Sequence, residues 1–269
     1  GVASTKAFTT QLTVLLLFAL RFSQIKKTVG RENYDFLIKE LTAAPNRIKN
    51  LLKLNKIPLI GYSLISAKKN KLIKKVIFSS DSKRYFDIAK KFGYDIAHFR
   101  GKKTSNDKAD DLMIFKDFIK MFNINNNYLP EFFLHFRPTT PLRKNRTITK
   151  AIKIMKKNKK NYTSLRSVRL MPESSYKSLR IVNKKLSSII KKDFNLDKYN
   201  QSRHLYTKTY EADGIVDIYK TTNFLKNTLL GKKVYPLINS DIFSNIDTKE
   251  QYKNVSLILK DKKNIKKFT

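Results

Sequence analysis

The sequence contains no cysteine and only three histidines, His98, His135 and His204, set far apart. Disulfides and thiolate metal centres are excluded, a histidine-rich zinc site is disfavoured, and an intracellular, cytoplasmic protein is expected. Glycine is scarce as well. The seven glycines are not clustered anywhere, so no glycine-rich loop is available to cradle a triphosphate. Acidic residues number 21 against 57 basic ones, which leaves a net charge of +36. A nucleic acid or an anionic surface is one reading of that excess. The other is a Lys/Asn/Ile-biased composition that puts lysine at every solvated position. Lysines are spread along the chain, as in Lys68-Lys69 and Lys156-Lys157, with no zinc-finger, RNA-recognition or homeodomain signature. The second reading is favoured, with weak non-specific polyanion binding as its consequence. A long apolar run is also missing. Leu12 to Phe22 is about half of what a bilayer span needs, and no small-residue cleavage site follows it. A buried core helix and no membrane contact are expected. The chain begins at Gly1 rather than methionine, as a fragment would.

What is present is a hydrophobic content of 41%, enough for a real core in one large or two small domains. Residues 1–54 read as helical. Ser4 or Thr5 caps a helix through Phe8, Leu12, Leu15, Leu16, Ala19 and Phe22, and a second runs from Arg31 to Leu41 before Pro45 breaks it. From Lys56 onward strands and helices alternate. Strands are expected at Lys75–Ser80, Tyr94–Phe99, Phe132–Phe136, Thr163–Val168, Ile215–Tyr219 and Lys233–Leu237, with helices between them. Such a rhythm implies an α/β fold with a mostly parallel sheet and right-handed crossovers. Ser178–Val182 and Leu186–Ile190 interrupt it as a protruding β-hairpin, around Asn183-Lys184-Lys185.

The stretch Phe136-Arg137-Pro138-Thr139-Thr140-Pro141-Leu142-Arg143 follows an apolar strand. Its two prolines end the ladder, and a rigid turn then presents Thr139, Thr140 and Arg143 at the carboxyl end of a strand, where open α/β sheets bind ligands. An ordinary capped loop is the competing reading. Other clusters fall at comparable places. Ser79-Ser80-Asp81-Ser82 ends a strand and opens a helix, which suits phosphate or ribose, or a plain N-cap. Arg100 lies just past a strand. Arg203 and Asp213-Gly214 flank Ile215–Tyr219. In Asn245-Ile246-Asp247-Thr248, Asp247 is either a ligand for a hard cation such as Mg²⁺ or an N-cap.

Taken together, Lys56 to Tyr62, Val76 to Ser82, Arg137 to Arg143, Arg203, Asp213-Gly214 and Ile246-Asp247-Thr248 resemble the acylneuraminate cytidylyltransferases, the CMP-sialic and CMP-legionaminic acid synthetases. The resemblance covers about residue 50 onward. It implies a Rossmann-like, GT-A-like nucleotidyltransferase fold and transfer of CMP from CTP to an acidic nine-carbon sugar with Mg²⁺. It further implies Ser80, Asp81, Arg100, Thr139 and Thr140 on the nucleotide, and Arg137, Arg203, Asp213 and Asp217 on the sugar. Asp247 would hold the metal, Asp247 and Arg203 would act in catalysis, and the hairpin region 172–205 would make a homodimer. This chain departs from the family at several of these places. Arg137 stands where many members have Gln, Thr140 replaces a serine, Asn245 replaces the first acid of an Asp-X-Asp pair, Asp213 replaces Asn, and Asp217 replaces a frequent Tyr.

The family's opening strand and Gly-rich, basic CTP loop have no counterpart upstream of Lys56. Instead Gly1-Val2-Ala3-Ser4-Thr5-Lys6-Ala7-Phe8-Thr9-Thr10-Gln11-Leu12 resembles the sugar-phosphate isomerase (SIS) domain of glutamine:fructose-6-phosphate aminotransferase. That resemblance places Val2 and Ser4 at positions that contact a sugar phosphate. The leading expectation is a cytidylyltransferase-like domain over 55–269, joined to an SIS fragment over 1–54 and impaired by the missing loop. A sugar-phosphate isomerase or aminotransferase, and a non-enzymatic polyanion binder, are the alternatives.

Overall fold

The computed structural model describes residues 15–26, 28–51, 53–106, 108–125, 129–189, 197, 202–261 and 268. Two helices lead, α1 over residues 15–26 and α2 over Arg31–Leu51. The expected burial of α1 is not met. Leu15, Phe18, Phe22 and Ile25 are exposed and only Leu20 is buried, because too few described neighbours lie against its apolar stripe to cover it. The expected break at Pro45 is not met either. Helix α2 continues through it, since a proline removes one N–H donor while Ala43 and Ala44 before it are strong helix formers.

Strands β1 (Lys53–Leu54) and β2 (Ile57–Pro58) pair antiparallel about Asn55 and Lys56, both at positive φ. There follow α3 (Leu59–Lys68), β3 (Ile77–Ser80), α4 (Lys83–Lys90), β4 (Ile96–Phe99), α5 (Asp111–Asn125), β5 (Phe132–His135), α6 (Asn145–Lys157) and β6 (Ser164–Leu170). After these come the hairpin β7 (Leu179–Val182) and β8 (Lys185–Ser188), then β9 (Tyr210–Lys220), α7 (Thr221–Leu225), β10 (Val234–Ile238) and α8 (Lys249–Ile258). The fold is α/β, as expected from the alternation. The hairpin turns on two residues, Asn183 and Lys184, both at positive φ, the geometry that matches strand twist.

The main sheet has the order β10-β6-β9-β5. Strands β10 and β6 are parallel, whereas β9 runs antiparallel to both β6 and β5. Strand β9 is 11 residues long, well beyond the apolar Ile215–Tyr219 that marks it in the sequence. Helix α6 covers one face because Ile148, Ala151, Ile152 and Met155 recur at helical spacing and bury against Leu165, Ile218 and Leu237. Each such large side chain contributes roughly 1.5–3 kcal/mol by burial. Helix α5 covers the other face at one end, with Phe115 and Phe118 packed on Phe133, Tyr219 and Phe224.

Strands β3 and β4 form a separate parallel pair. Ile77 of β3 shares one apolar cluster with Phe133 of β5, and Phe78 shares another with Phe136. The two sheets therefore lie side by side with continuous apolar packing. Among the described residues, however, no ladder joins β3 to β5.

Candidate active site

The turn after β5 is braced from across the molecule. The segment leaving β10 crosses the carboxyl end of β6, where Asn239 N donates to Val168 O at 2.8 Å and the Arg169 guanidinium lies 3.5 Å over the Phe243 ring. It then reaches the Pro-Thr-Thr-Pro turn. Leu142 N donates to Ser244 Oγ at 3.1 Å, Thr140 Oγ1 to Asn245 Oδ1 at 3.4 Å, and Ile246 N to Thr139 O at 2.8 Å. This strap sets Asn245 and Asp247 beside Thr139 and Thr140. Thr248, not Asp247, caps α8. Its hydroxyl accepts from Gln251 N while the Gln251 side chain accepts from the Thr248 N–H, a complete capping box. The N-cap reading of Asp247 is thereby overturned. Its exposed carboxylate takes a hydrogen bond from the Asn245 amide.

Thr140 is fully buried against Gly214. Gly214 has φ +72°, and a Cβ there would meet Thr140 Oγ1 at 2.5 Å, so only glycine fits. The β6–β9 register shifts between Arg166 and Val168, and Asp213 stitches the irregularity. It accepts from Ser167 Oγ, from Ile215 N at 3.0 Å and from Asn239 Nδ2 at 2.8 Å. The Asp213 side chain, expected on the sugar, is thus buried and committed to the sheet.

Arg143 also departs from expectation. It is buried rather than presented. Its guanidinium donates to Ile215 O at 2.7 Å, Ser63 Oγ at 3.1 Å, Arg137 O at 2.7 Å and Gly214 O at 3.2 Å. Three carbonyls and one hydroxyl take four of the fork's five donors, so Arg143 clamps the turn to β9 and α3. Burial, with Arg137 nearby, pulls its pKa below the usual guanidinium value.

A row of ionisable groups crosses the sheet beyond the N-terminus of α5. Register sets His135 of β5 opposite Asp217 of β9, and Arg166 of β6 opposite the same aspartate. Arg166 grips Asp217 through Nε and Nη2, both at 3.0 Å. Arg137 Nη1 and Tyr219 Oη donate to the same carboxylate, each at 3.0 Å. Arg137 Nη2 reaches Asp111 at 2.7 Å. Burial pushes the Asp217 carboxyl up, but the hydrogen bonds and charges of Arg166 and Arg137 outweigh it and hold it below the ordinary range. Burial lowers His135 to about 4 despite Asp111 beside it, so the imidazole is neutral at pH 7.

At the end of the β3–β4 pair, Ser80, Asp81 and Arg100 come together. Arg100 N donates to Ser80 O at 2.8 Å, Ser80 Oγ accepts from Ser82 N at 3.2 Å, and the Arg100 guanidinium stands 3.5 Å from Asp81. The buried Arg100 Nε and Ser105 Oγ have no hydrogen-bond partner. Buried polar atoms of this kind call for a partner that the described residues do not supply, a water or a ligand.

The expected residues thus form three groups: Ser80, Asp81 and Arg100; Thr139, Thr140 and Asp247; Arg137 and Asp217. Arg203 begins a single 3₁₀ turn, Arg203–Leu205. Val2 and Ser4 lie outside the described residues. Sequence reasoning missed Asp111, Arg166 and Tyr219. A signal for Arg166 and Asp217 existed, since each is a charge inside an otherwise apolar or small-residue strand, Ser164-Leu165-Arg166-Ser167-Val168 and Ile215-Val216-Asp217-Ile218. Their pairing required the register.

The donor set at the strap suits one kind of metal. Among the described residues no group of three His, Asp or Glu gathers as a protein-only cage. Mg²⁺, however, takes one or two carboxylates and completes its shell with water and substrate phosphates, and exposed Asp247 with the Asn245 amide fits that pattern.

The chain resembles known proteins in sequence and in fold. The cytidylyltransferase family matches residues 47–253. Post-translational flagellin modification protein B of Campylobacter coli is 24% identical over 217 residues, 80% of this chain and 89% of that protein. The CMP-N,N′-diacetyllegionaminic acid synthase of Campylobacter jejuni is 35% identical over 69 residues, 26% of this chain and 29% of that protein. A short similarity of another kind is also present. Glutamine–fructose-6-phosphate aminotransferase of Bacteroides thetaiotaomicron is 47% identical over 55 residues, 20% of this chain and 9% of that enzyme. Among solved structures, CMP:2-keto-3-deoxy-manno-octonic acid synthetase complexed with CTP superposes with a TM-score of 0.52 at 11% identity. The match covers 78% of this chain and 90% of that one, a likeness of fold. No described helix is long and apolar enough to cross a membrane. The chain belongs to the cytidylyltransferase family.

Proposed function

We propose that the chain is a CMP-nonulosonic acid synthetase, transferring CMP from CTP to a sialic-acid-like nine-carbon sugar acid with release of pyrophosphate. The observation that carries this reading is the strap that holds Asp247 and Asn245 against Thr139 and Thr140. In a CTP-using chain, that junction is where a carboxylate is needed beside the phosphates. The Campylobacter jejuni relative, a CMP-N,N′-diacetyllegionaminic acid synthase, supports an acidic nine-carbon acceptor.

The chemistry is an in-line displacement. The sugar's anomeric hydroxyl forms a bond to the α-phosphorus as the bond to the pyrophosphate oxygen breaks, and the hydroxyl proton leaves to solvent or base. Ser80, Asp81 and Arg100 hold the nucleotide, with the Arg100 Nε donor still unspent. Thr139 and Thr140 keep the turn rigid against the incoming phosphates. Arg137 and Arg203 supply positive charge on the acceptor side. Asp247 is the carboxylate for Mg²⁺, which when bound neutralises charge on the leaving phosphates. The hairpin is the homodimer contact, and residues 1–54 are SIS-derived, with Val2 and Ser4 relics of a sugar-phosphate site.

Incubation with CTP, Mg²⁺ and either N-acetylneuraminate or N,N′-diacetyllegionaminate tests the reading, with CMP-sugar and pyrophosphate quantified. CMP-sugar is expected at a rate below the roughly 1–10³ s⁻¹ usual for enzymes, because no Gly-rich CTP loop is in the sequence. Asp247→Asn should lower it a further tenfold or more, by about 1.4 kcal/mol in barrier. Pyrophosphate release without any CMP-sugar would replace the proposal with CTP hydrolysis, and turnover at ordinary rates would refute the impairment.

A further inference from the structure

The charged row across β5, β9 and β6 contains a residue to which no role has been given. We infer that Arg166 is the side chain that holds the acid group of the acceptor, with Asp217 and Asp111 as positioning residues beneath and beside it. The inference rests on the proposed function and deepens its acceptor side.

The argument begins with Asp217. Its side chain is 4% exposed, and four donors converge on its two oxygens. Three of the four crowd Oδ2, and burial leaves almost no surface for a sugar hydroxyl to reach, so the direct sugar contact expected of it passes to the groups it holds. Of its two arginines, Arg137 spends Nη1 on Asp217 and Nη2 on Asp111, so carboxylates already occupy both ends of its fork. Arg166 differs. Nε and Nη2 are fixed by the two-point contact with Asp217 while Nη1 is committed to no second carboxylate, and the side chain is 28% exposed, close to the 33% of Arg137. The bidentate contact locks the plane of the guanidinium, leaving its remaining donors ordered and open on the sheet face. That is the condition for a pre-organised carboxylate contact.

The charges explain why the cluster tolerates such a ligand. Two guanidiniums face two carboxylates, so the buried Asp217 is neutralised before any ligand arrives. Asp111 holds the second end of the Arg137 fork, so Arg137 is anchored between two carboxylates beside Arg166. Two of the chain's departures from the family pattern, Arg137 and Asp217, are therefore one ion pair. Together with Arg166 they form one recognition unit.

The test measures binding and turnover separately. The intact chain is titrated calorimetrically with N-acetylneuraminate, with N,N′-diacetyllegionaminate, and with the methyl ester of each. The titrations are repeated for Arg166→Gln, Arg166→Lys and Arg203→Gln. The wild type should bind at least one free acid about tenfold to a hundredfold tighter than its ester, the worth of one charge-assisted contact. Arg166→Gln should erase that preference while leaving the affinity for CTP within about twofold, and Arg166→Lys should restore part of it. Melting curves with matched midpoints show that the variants are folded, and Arg166→Lys carries the test if Arg166→Gln does not fold. An acid preference that survives in Arg166→Gln, or one lost only in Arg203→Gln, overturns the inference, as does failure of both acids to bind the wild type. Acid binding by the wild type without CMP transfer removes the proposed function and leaves the assignment of Arg166 standing.

Discussion

His135 lies in the charged row with its side chain 21% exposed and its pKa lowered to about 4, chiefly by burial. The unfolded chain titrates near 6.5. Because the folded state binds fewer protons across that interval, stability is full above about 6.5 and declines as pH falls toward about 4, by on the order of 3 kcal/mol. Melting temperature should therefore drop between pH 7 and 5, and His135→Gln should flatten the drop. Parallel curves for the two proteins would show that another group is responsible. Asp217 contributes in a lower window. Its depressed folded pKa gives stability that is present above its unfolded value near 3.9 and lost as pH falls below it. On the nucleotide side, Arg100→Gln should raise KM for CTP about tenfold, the worth of a lost charge-assisted contact, and leave KM for the sugar unchanged. Equal shifts in both constants would mean that Arg100 shapes the fold rather than holds the nucleotide. These residues differ in how legible they were. Arg100 stands just past its strand and could be picked out from position alone. His135 is an ordinary strand residue until the strands are aligned, and Arg166, visible as a charge within its strand, gains a partner only then.

At the scale of elements, the turn after β5 and the kink in β9 interlock. Thr140 occupies the space that a side chain at 214 would need. Gly214→Ala combines a left-handed backbone with a 2.5 Å contact and should destabilise the protein by roughly 2 kcal/mol or more. The double substitution Gly214→Ala/Thr140→Ala should recover the steric part but not the backbone part, as denaturant midpoints would show. An unchanged midpoint for Gly214→Ala would mean that the turn can step aside. The hairpin shows the same division. Its strands and turn follow from alternation and from Asn183-Lys184, while the exposure of Ile181, at 76%, appears only in the fold. If the hairpin makes the proposed homodimer, Ile181→Asp should shift the sedimenting species to a monomer. A wild type that is already monomeric at micromolar concentration would remove the dimer.

Across the whole molecule, the sheet is in two parts. Strand β9 is paired along both edges, whereas β3 and β5 are each paired along one. Amide exchange should therefore be slowest in β9 and faster in β3 and β5, even though apolar clusters cover both faces there. Uniform protection across these strands would show that their free edges are covered. The split also fits the proposed impairment, because the Ser80–Arg100 group and the Thr140–Asp247 group stand on separate sheets. The charge of +36 acts at this scale too. It should give DNA binding that weakens steeply with salt without competing with Mg·CTP, since no nucleic-acid motif accompanies it.

The sequence alone determined the α/β alternation, the proline-bounded turn, the hairpin and the positions of Ser80, Arg100, Thr140 and Asp247 at element ends. Each of these follows from short-range periodicity, proline or capping chemistry. Tertiary structure decided what long-range neighbours decide. Arg143 and Arg137 lie six residues apart on one turn, yet one is buried by carbonyls of β9 and the other reaches two carboxylates. Thr248 rather than Asp247 caps α8, which leaves the Asp247 carboxylate exposed beside Asn245. Asp217 became the hub of a charged row only once β5, β9 and β6 were placed in register. A side chain's partner across a sheet depends on which strand lies beside it, and local sequence carries no record of that.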